Sequence, residues 1–164
     1  MSENPLKEIQ HITVIGAGAM GSQIAMVCAL AGYDTDVVDI KQEAVDKASE
    51  QLHSRMDRDV SKGRRTQQDV DAAFERLTFS TDRDACAAQA DFVIEAAVED
   101  LTIKRQVFTE LDAVCPEHTI LATNSSNIVS SRLADATHRP EKVCNVHFFN
   151  PALVMKCVEV VPHE

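Results

Sequence analysis

The chain has 164 residues, 45% of them hydrophobic, and its 16 basic and 26 acidic side chains leave a formal net charge of −10. That much apolar material can bury a substantial core, the length favours one domain, and the acidic balance speaks against a general nucleic-acid or anionic-membrane binder. The five cysteines (Cys28, Cys86, Cys115, Cys144, Cys157) are scattered, without a C-x-x-C pair or disulfide-framework spacing, so they read as reduced thiols, and no metal site is expected.

Met1 to Gln10 is polar and lacks the apolar core of a secretion signal, and no run reaches the length of a membrane span, which predicts a soluble, cytoplasmic protein. His11 to Ile15 is apolar and β-branched, suiting a central parallel strand covered on both faces. It runs into Gly16-Ala17-Gly18-Ala19-Met20-Gly21, a G-x-G-x-x-G pattern. In that pattern the first glycine makes the tight turn, the second lets a pyrophosphate approach the backbone, and the third lets helix pack on strand. Small residues also gather in ordinary turns, so the pattern alone leaves both readings open. A helix follows from about Ser22 to Ala31, with Ile24, Val27, Cys28 and Ala31 on its buried face and Gly32 as its stop.

Thr35 to Val38 is the second strand, ending at Asp39, eighteen residues beyond Gly21. A carboxylate there can accept the ribose hydroxyls of a dinucleotide and repel a 2′-phosphate, which favours NAD over NADP. Its alternative role is to cap the following helix. From Asp39 to the next strand, Leu77 to Phe79, the chain is far longer than a single crossover helix requires. Helical spacing at Ala44, Ala48, Leu52, Arg55 and Met56, then at Val70, Ala73, Phe74 and Leu77, predicts a helical hairpin over about residues 42–76 that turns at Lys62-Gly63. Arg58, Lys62, Arg64 and Arg65 cluster at the bend, either as a solvated tip or as a contact for a phosphate-bearing ligand.

Ser80 to Ala90 reads as a loop and short helix, and Phe92 to Ala97 as a buried strand. Leu101 to Val114 is an amphipathic helix on Val107, Phe108, Leu111 and Val114, with Glu99 and Asp100 at its favourable end. Lys104, one turn in, either faces the cofactor cleft or makes a surface charge pair with Glu99. Thr119 to Ala122 is a strand ending in Thr123-Asn124-Ser125-Ser126-Asn127, polar groups where open α/β sheets bind ligands. Ser126 or Asn127 can alternatively cap a helix from Val129 to Ala136. Val143 to Val146 and Lys156 to Val161 are the last strands, the first delivering His147 and the second carrying Glu159. A carboxylate buried among valines needs a donor such as an imidazole. Bonded to one ring nitrogen, it would orient His147 and leave the other nitrogen to exchange a proton with an alcohol. The fold class is therefore α/β: a Rossmann-type, doubly wound, mostly parallel sheet with a helical hairpin inserted between the second and third strands.

The chain resembles, almost end to end, the NAD-binding domain of the 3-hydroxyacyl-CoA dehydrogenases, including the bacterial 3-hydroxybutyryl-CoA enzymes. The stretches that carry the resemblance are ITVIGAGAMGSQIA (Ile12 to Ala25), VVDI (Val37 to Ile40), Lys62-Gly63, ADFVIEAAVEDLTIK (Ala90 to Lys104), ATNSS (Ala122 to Ser126), HFFNP (His147 to Pro151) and MKCVEVV (Met155 to Val161). The resemblance implies reversible oxidation of an L-3-hydroxyacyl-CoA in fatty acid or butanoate metabolism. It implies His147 as the base, Glu159 as its orienting partner, and Ser126 as the contact to substrate oxygen and cofactor. It also implies NAD contacts from Gly16, Ala17, Gly18, Ala19, Met20, Gly21, Asp39, Glu99, Lys104 and Asn150, and a CoA contact from Lys62. The chain departs from the family in reading Asn127 after Ser126, and in ending at Glu164, where family members continue into a helical domain that covers the acyl-CoA cleft and forms a homodimer. Residues 1–164 are thus expected to be an amino-terminal NAD-binding domain. Two other readings remain: a non-catalytic NAD-binding module or crystallin-like structural relative, and another hydroxyacid dehydrogenase on the same scaffold, although those enzymes generally use a lysine and lack HFFNP.

Overall fold

The computed structural model describes residues 9–163, so most of the polar stretch Met1 to Gln10, and Glu164, lie outside the described residues. Seven strands form one sheet: β1 (His11–Ile15), β2 (Asp34–Val38), β3 (Leu77–Ser80), β4 (Phe92–Glu95), β5 (Ile120–Thr123), β6 (Val143–Phe148) and β7 (Val158–Pro162). Their order is β3-β2-β1-β4-β5-β6-β7. All neighbours are parallel except β6 and β7, which are antiparallel. The order reverses direction between β1 and β4, and at such a switch point the loops after the two strands diverge and leave a crevice.

Alternation along β1 divides the core. Ile12 and Val14 face one side, with Val37, Ile94, Ala122 and Val146 from neighbouring strands, while Ile15 joins Val38, Val93, Leu121 and Val143 on the other. The first side is covered by α1 (Ala19–Leu30), α2 (Gln42–Ser61) and α3 (Gln67–Arg76). The second is covered by α4 (Arg83–Ala87), α5 (Leu101–Val114) and the short α6 (Ser131–Ala134). Side chains such as Ile24, Phe108 and Leu111 are fully buried in these layers, each contributing about 1.5–3 kcal/mol.

The predicted hairpin is present, with α2 and α3 turning at Gly63, whose φ of +67° suits a residue without a Cβ. Both helices pack on α1. For that reason α1 buries Gly21, Ser22, Ile24, Ala25, Met26, Cys28 and Ala29, covering more of its surface than the single face expected, while Val27 is only partly buried and Ala31 is exposed. In α2 the buried residues are Val45, Ala48, Leu52, Met56 and Asp59, with Ala44 and Arg55 at the margin.

Several boundaries differ from the sequence reading. Helix α1 begins at Ala19, earlier than Ser22, because Gly18 already serves as its N-cap. The third glycine therefore lies inside the first turn, where a Cβ on Gly21 would meet the Gly16 carbonyl oxygen at 1.9 Å. Gly16, with φ +106°, in turn lies so close to β4 that its Cβ would meet the Ala96 oxygen at 2.6 Å. Strand β4 stops at Glu95, not Ala97, and α6 is shorter than Val129 to Ala136 because side chains hold residues 125–130 in a turn. Among the described residues, no helix is long and apolar enough to cross a membrane.

The glycine contacts generate a stability test. Gly21→Ala is expected to lower the unfolding free energy by about 3 kcal/mol, because its new methyl meets backbone with no side chain to yield. Gly18→Ala, whose Cβ meets nothing within 4 Å, is expected to stay within about 0.5 kcal/mol of the parent. Urea unfolding of the two variants checks the contrast.

Candidate active site

The turn between β1 and α1 is a cradle of backbone donors. The first N–H groups of a helix have no intrahelical acceptor, and Gly18 supplies no capping side chain to cover them. The space in front of Gly18 is open, so a phosphate can reach these N–H groups and the positive end of the α1 dipole. Beside the cradle, Asp39 Oδ2 accepts from the Ala17 N–H at 3.0 Å and Oδ1 from the Lys41 N–H at 3.1 Å. Asp39 is not the cap of α2; that position belongs to Lys41, which makes no side-chain cap bond. Its carboxylate instead ties the end of β2 to the glycine turn. Cradle and carboxylate together fit a dinucleotide.

Across the crevice, Lys104 is buried and not at the surface, and its main partner is a carboxylate other than Glu99. Lys104 is 1% exposed, and its Nζ donates to Glu95 Oε1 at 2.7 Å and Oε2 at 2.9 Å. The Ala97 carbonyl at 3.4 Å and Glu99 Oε2 at 3.5 Å complete its surroundings. Lys104 is thus no surface partner of Glu99. Glu95 is fully buried and also accepts from the Ala97 N–H and the Thr123 hydroxyl. Nothing in the sequence reading singled out Glu95, although the signal was there: a carboxylate in the apolar run Phe92 to Ala97 demands a buried donor. Glu99 is half-exposed, with Ser125 donating its hydroxyl to it. Burial raises the Glu99 carboxyl, but the Ser125 hydroxyl, the Lys104 ammonium and the Asn127 N–H outweigh that effect and hold it below its ordinary value.

On the far side of β5, Ser126 Oγ and His147 Nε2 lie 2.9 Å apart. His147 is the register partner of Glu159 across β6 and β7, and its Nδ1 lies 3.9 Å from Glu159 Oε2. This is ion-pair distance, longer than a hydrogen bond. The expectation that Glu159 is buried is corrected: every residue of β7 is exposed and the Glu159 side chain is 62% exposed. Strand register, not burial, brings the pair together. The His147 ring also lies against Phe149, with centroids 5.1 Å apart. The three residues Ser126, His147 and Glu159 line a cavity of about 340 Å³ with Ser130, Asn145 and Val161.

Neither Ser126 nor Asn127 caps the next helix. The N-cap of α6 is Ser130, which makes no side-chain cap bond; Ser125 instead holds the preceding turn by accepting from the N–H groups of Asn127 and Ile128, and Asn124 Oδ1 accepts from the Phe148 N–H at 2.8 Å. Asn150, beyond β6, is exposed, as is Lys62 at the hairpin tip. Of the basic cluster there, Arg64 and Arg65 are drawn with Arg55 toward the buried Asp59, and Arg58 bonds the Ser54 carbonyl of its own helix.

A glycine cradle and an acidic residue at the end of β2, on a parallel sheet of this order, define a Rossmann-type dinucleotide-binding domain. The family model described as 3-hydroxyacyl-CoA dehydrogenase, NAD binding domain, matches residues 11–164. The chain belongs to this family, and NAD is the cofactor of the domain. It is 42% identical over 154 residues to the probable 3-hydroxybutyryl-CoA dehydrogenase of Bacillus subtilis (strain 168), covering 94% of this chain and 53% of the relative. Against the 3-hydroxyadipyl-CoA dehydrogenase of Escherichia coli (strain K12) it is 44% identical over 153 residues, covering 93% of this chain and 32% of that one. A crystal structure of 3-hydroxybutyryl-CoA dehydrogenase from Escherichia coli K12 superposes with a TM-score of 0.90 at 43% identity, over 93% of this chain and 32% of that one. The chain thus spans about half or less of the length of these relatives.

Two outcomes are expected. Asp39→Ala weakens NAD binding by about tenfold, the loss of a charge-assisted contact, and narrows the preference over NADP, measured by titrating each reduced cofactor. Glu99 has a folded value below its ordinary 4.5, so its contribution to stability is complete above that pH and is lost as pH falls through the folded value. Glu99→Gln is expected to flatten the acid side of the stability curve below about pH 5, read by denaturant midpoints between pH 3 and about pH 7.

Proposed function

We propose that the chain is the amino-terminal cofactor domain of an NAD-dependent L-3-hydroxyacyl-CoA dehydrogenase, residues 1–164 forming one domain with the hairpin over about residues 42–76. The observation that carries this reading is the Ser126–His147 contact of 2.9 Å with Glu159 opposite the other ring nitrogen. NAD bound in the crevice supplies the two-electron acceptor. The Glu159 carboxylate favours the tautomer with the proton on His147 Nδ1, which leaves the Nε2 lone pair open. In the resting protein the Ser126 hydroxyl donates to that lone pair. When a substrate hydroxyl takes this place, His147 Nε2 accepts its proton as C3 is oxidised to the ketone, and Ser126 turns to hold the same oxygen. His147 can act as the base and is only partly buried, so the proton has a route back to solvent.

The named activities of the relatives support an acyl-CoA substrate, and Lys62 at the hairpin tip is the proposed contact for a CoA phosphate. Asn150 and the residues of the glycine turn, Gly16 to Gly21, with Asp39, Glu99 and Lys104, are the proposed cofactor contacts. In a longer chain, a further helical domain that covers the acyl-CoA cleft and forms a homodimer belongs to the same proposal. The unpaired cysteines suit a cytoplasmic setting.

Activity is tested by NADH oxidation with acetoacetyl-CoA, using a chain in which residues 1–164 are followed by the remainder of the Bacillus subtilis relative. Turnover is expected, and His147→Gln is expected to lower kcat by about 10³-fold with NADH affinity retained. A fused chain that binds NADH and gives no turnover would reduce the protein to a binding module.

A further inference from the structure

The parallel ladder between β5 and β6 ends at the pair Thr123↔Asn145. Beyond that pair no strand bonds join the two segments, yet Ser126 of the one must meet His147 of the other. Two amide side chains take over from the ladder. Asn124 Oδ1 accepts from the Phe148 N–H at 2.8 Å, just past His147. Asn145, 8% exposed and just before His147, reaches back into the loop from the opposite side. Its Oδ1 accepts from the Ser130 N–H at 2.6 Å, and its Nδ2 donates to the Ile128 carbonyl at 3.2 Å and the Ser125 carbonyl at 3.5 Å. The partners settle the orientation of the amide, since an N–H lies on one side and two carbonyls on the other.

We propose that Asn145 is a positioning residue for the reaction: it acts through the loop of residues 125–130 to set the Ser126–His147 contact. Asn145 and His147 are two apart on β6 and so lie on one face of the strand. The base and the anchor of its partner loop therefore share a rigid element, and Asn145 ties the far end of the loop to the strand that carries His147 while Asn124 ties its near end. A hydroxyl on a turn without this anchor samples many positions, and placing a reacting group within tenths of an ångström is where much of the rate of such a site originates. The burial of Asn145 without an unpaired polar atom makes the anchor directional, because only an amide offers an acceptor and two donors in this arrangement.

The kinetic consequence rests on the dehydrogenase reading above; the geometric one does not. The deciding experiment records the ring ¹⁵N resonances of His147 in the 164-residue chain for the parent, Ser126→Ala, Asn145→Ala and Asn145→Asp. Asn145→Ala is expected to move the Nε2 resonance to its position in Ser126→Ala, and the double variant is expected to show no further change. Asn145→Asp keeps the acceptor for Ser130 but turns an anionic oxygen on the two carbonyls, and is expected to give the same shift; it decides the matter should Asn145→Ala not fold. NADH affinity is expected to stay within twofold in both, about the uncertainty of a surface substitution. A parental Nε2 resonance in the folded variants, or a shift that adds to that of Ser126→Ala, overturns the proposal. In the fused chain, kcat is expected to fall by about 10- to 100-fold in Asn145→Ala with little change in KM for NADH. Absence of turnover in the fused parent itself would refute the dehydrogenase reading while leaving the resonance result to judge Asn145.

Discussion

The buried carboxylate of Glu95 organises the crevice. It accepts from the Lys104 ammonium, the Ala97 N–H and the Thr123 hydroxyl, and its own carbonyl accepts from the Asn124 N–H at 2.8 Å. These groups belong to the end of β4, the end of β5 and the first turn of α5, the segments that wall the switch point. Burying two opposite charges in this way is expensive in desolvation, and the pair is tolerable only because every oxygen and proton finds a partner. Removing one partner would leave an unpaired charge in the core, a change of about 3–5 kcal/mol. The cleft and the fold therefore share one set of interactions.

On the opposite side of the switch point the constraint is steric. Gly16 approaches Ala96, and Gly21 approaches Gly16, at separations that no side chain allows. Through these contacts the glycine turn, α1 and the end of β4 hold a common position. Asp39 closes the arrangement by bonding the Ala17 N–H. On the side of Gly18 the turn is open, since a Cβ there would meet nothing within 4 Å.

The candidate chemistry sits two strands further along, where the sheet gives way to its antiparallel edge. Register between β6 and β7 sets Glu159 opposite His147, and side-chain amides set Ser126 against the same ring. Strand β7 is exposed along its whole length, with Val158, Val160 and Val161 open to solvent. In contrast, the basic hairpin tip is partly self-neutralised: Asp59 gathers three arginines, which rigidifies the turn and leaves Lys62 at the outer end.

The sequence by itself determined the alternation of strands and helices, the hairpin and its turn, the glycine cradle with Asp39, and the identity of the polar residues at the strand ends. These are local properties: periodicity, turn chemistry and spacing are set within a few residues and survive in any compact arrangement. Only the tertiary structure decided which charges are buried. Two glutamates stood in apolar runs, and the same reasoning about buried carboxylates, applied to Glu159, belonged to Glu95. Whether a strand is central, like β4, or at an edge, like β7, depends on the order of strands in the sheet, which no single run encodes. The start of α1 at Ala19 and the role of Ser125 in place of Ser126 were hidden for the same reason. Each depends on a close approach between segments far apart in the chain, Gly16 to Ala96 in one case and Asn145 to Ser130 in the other.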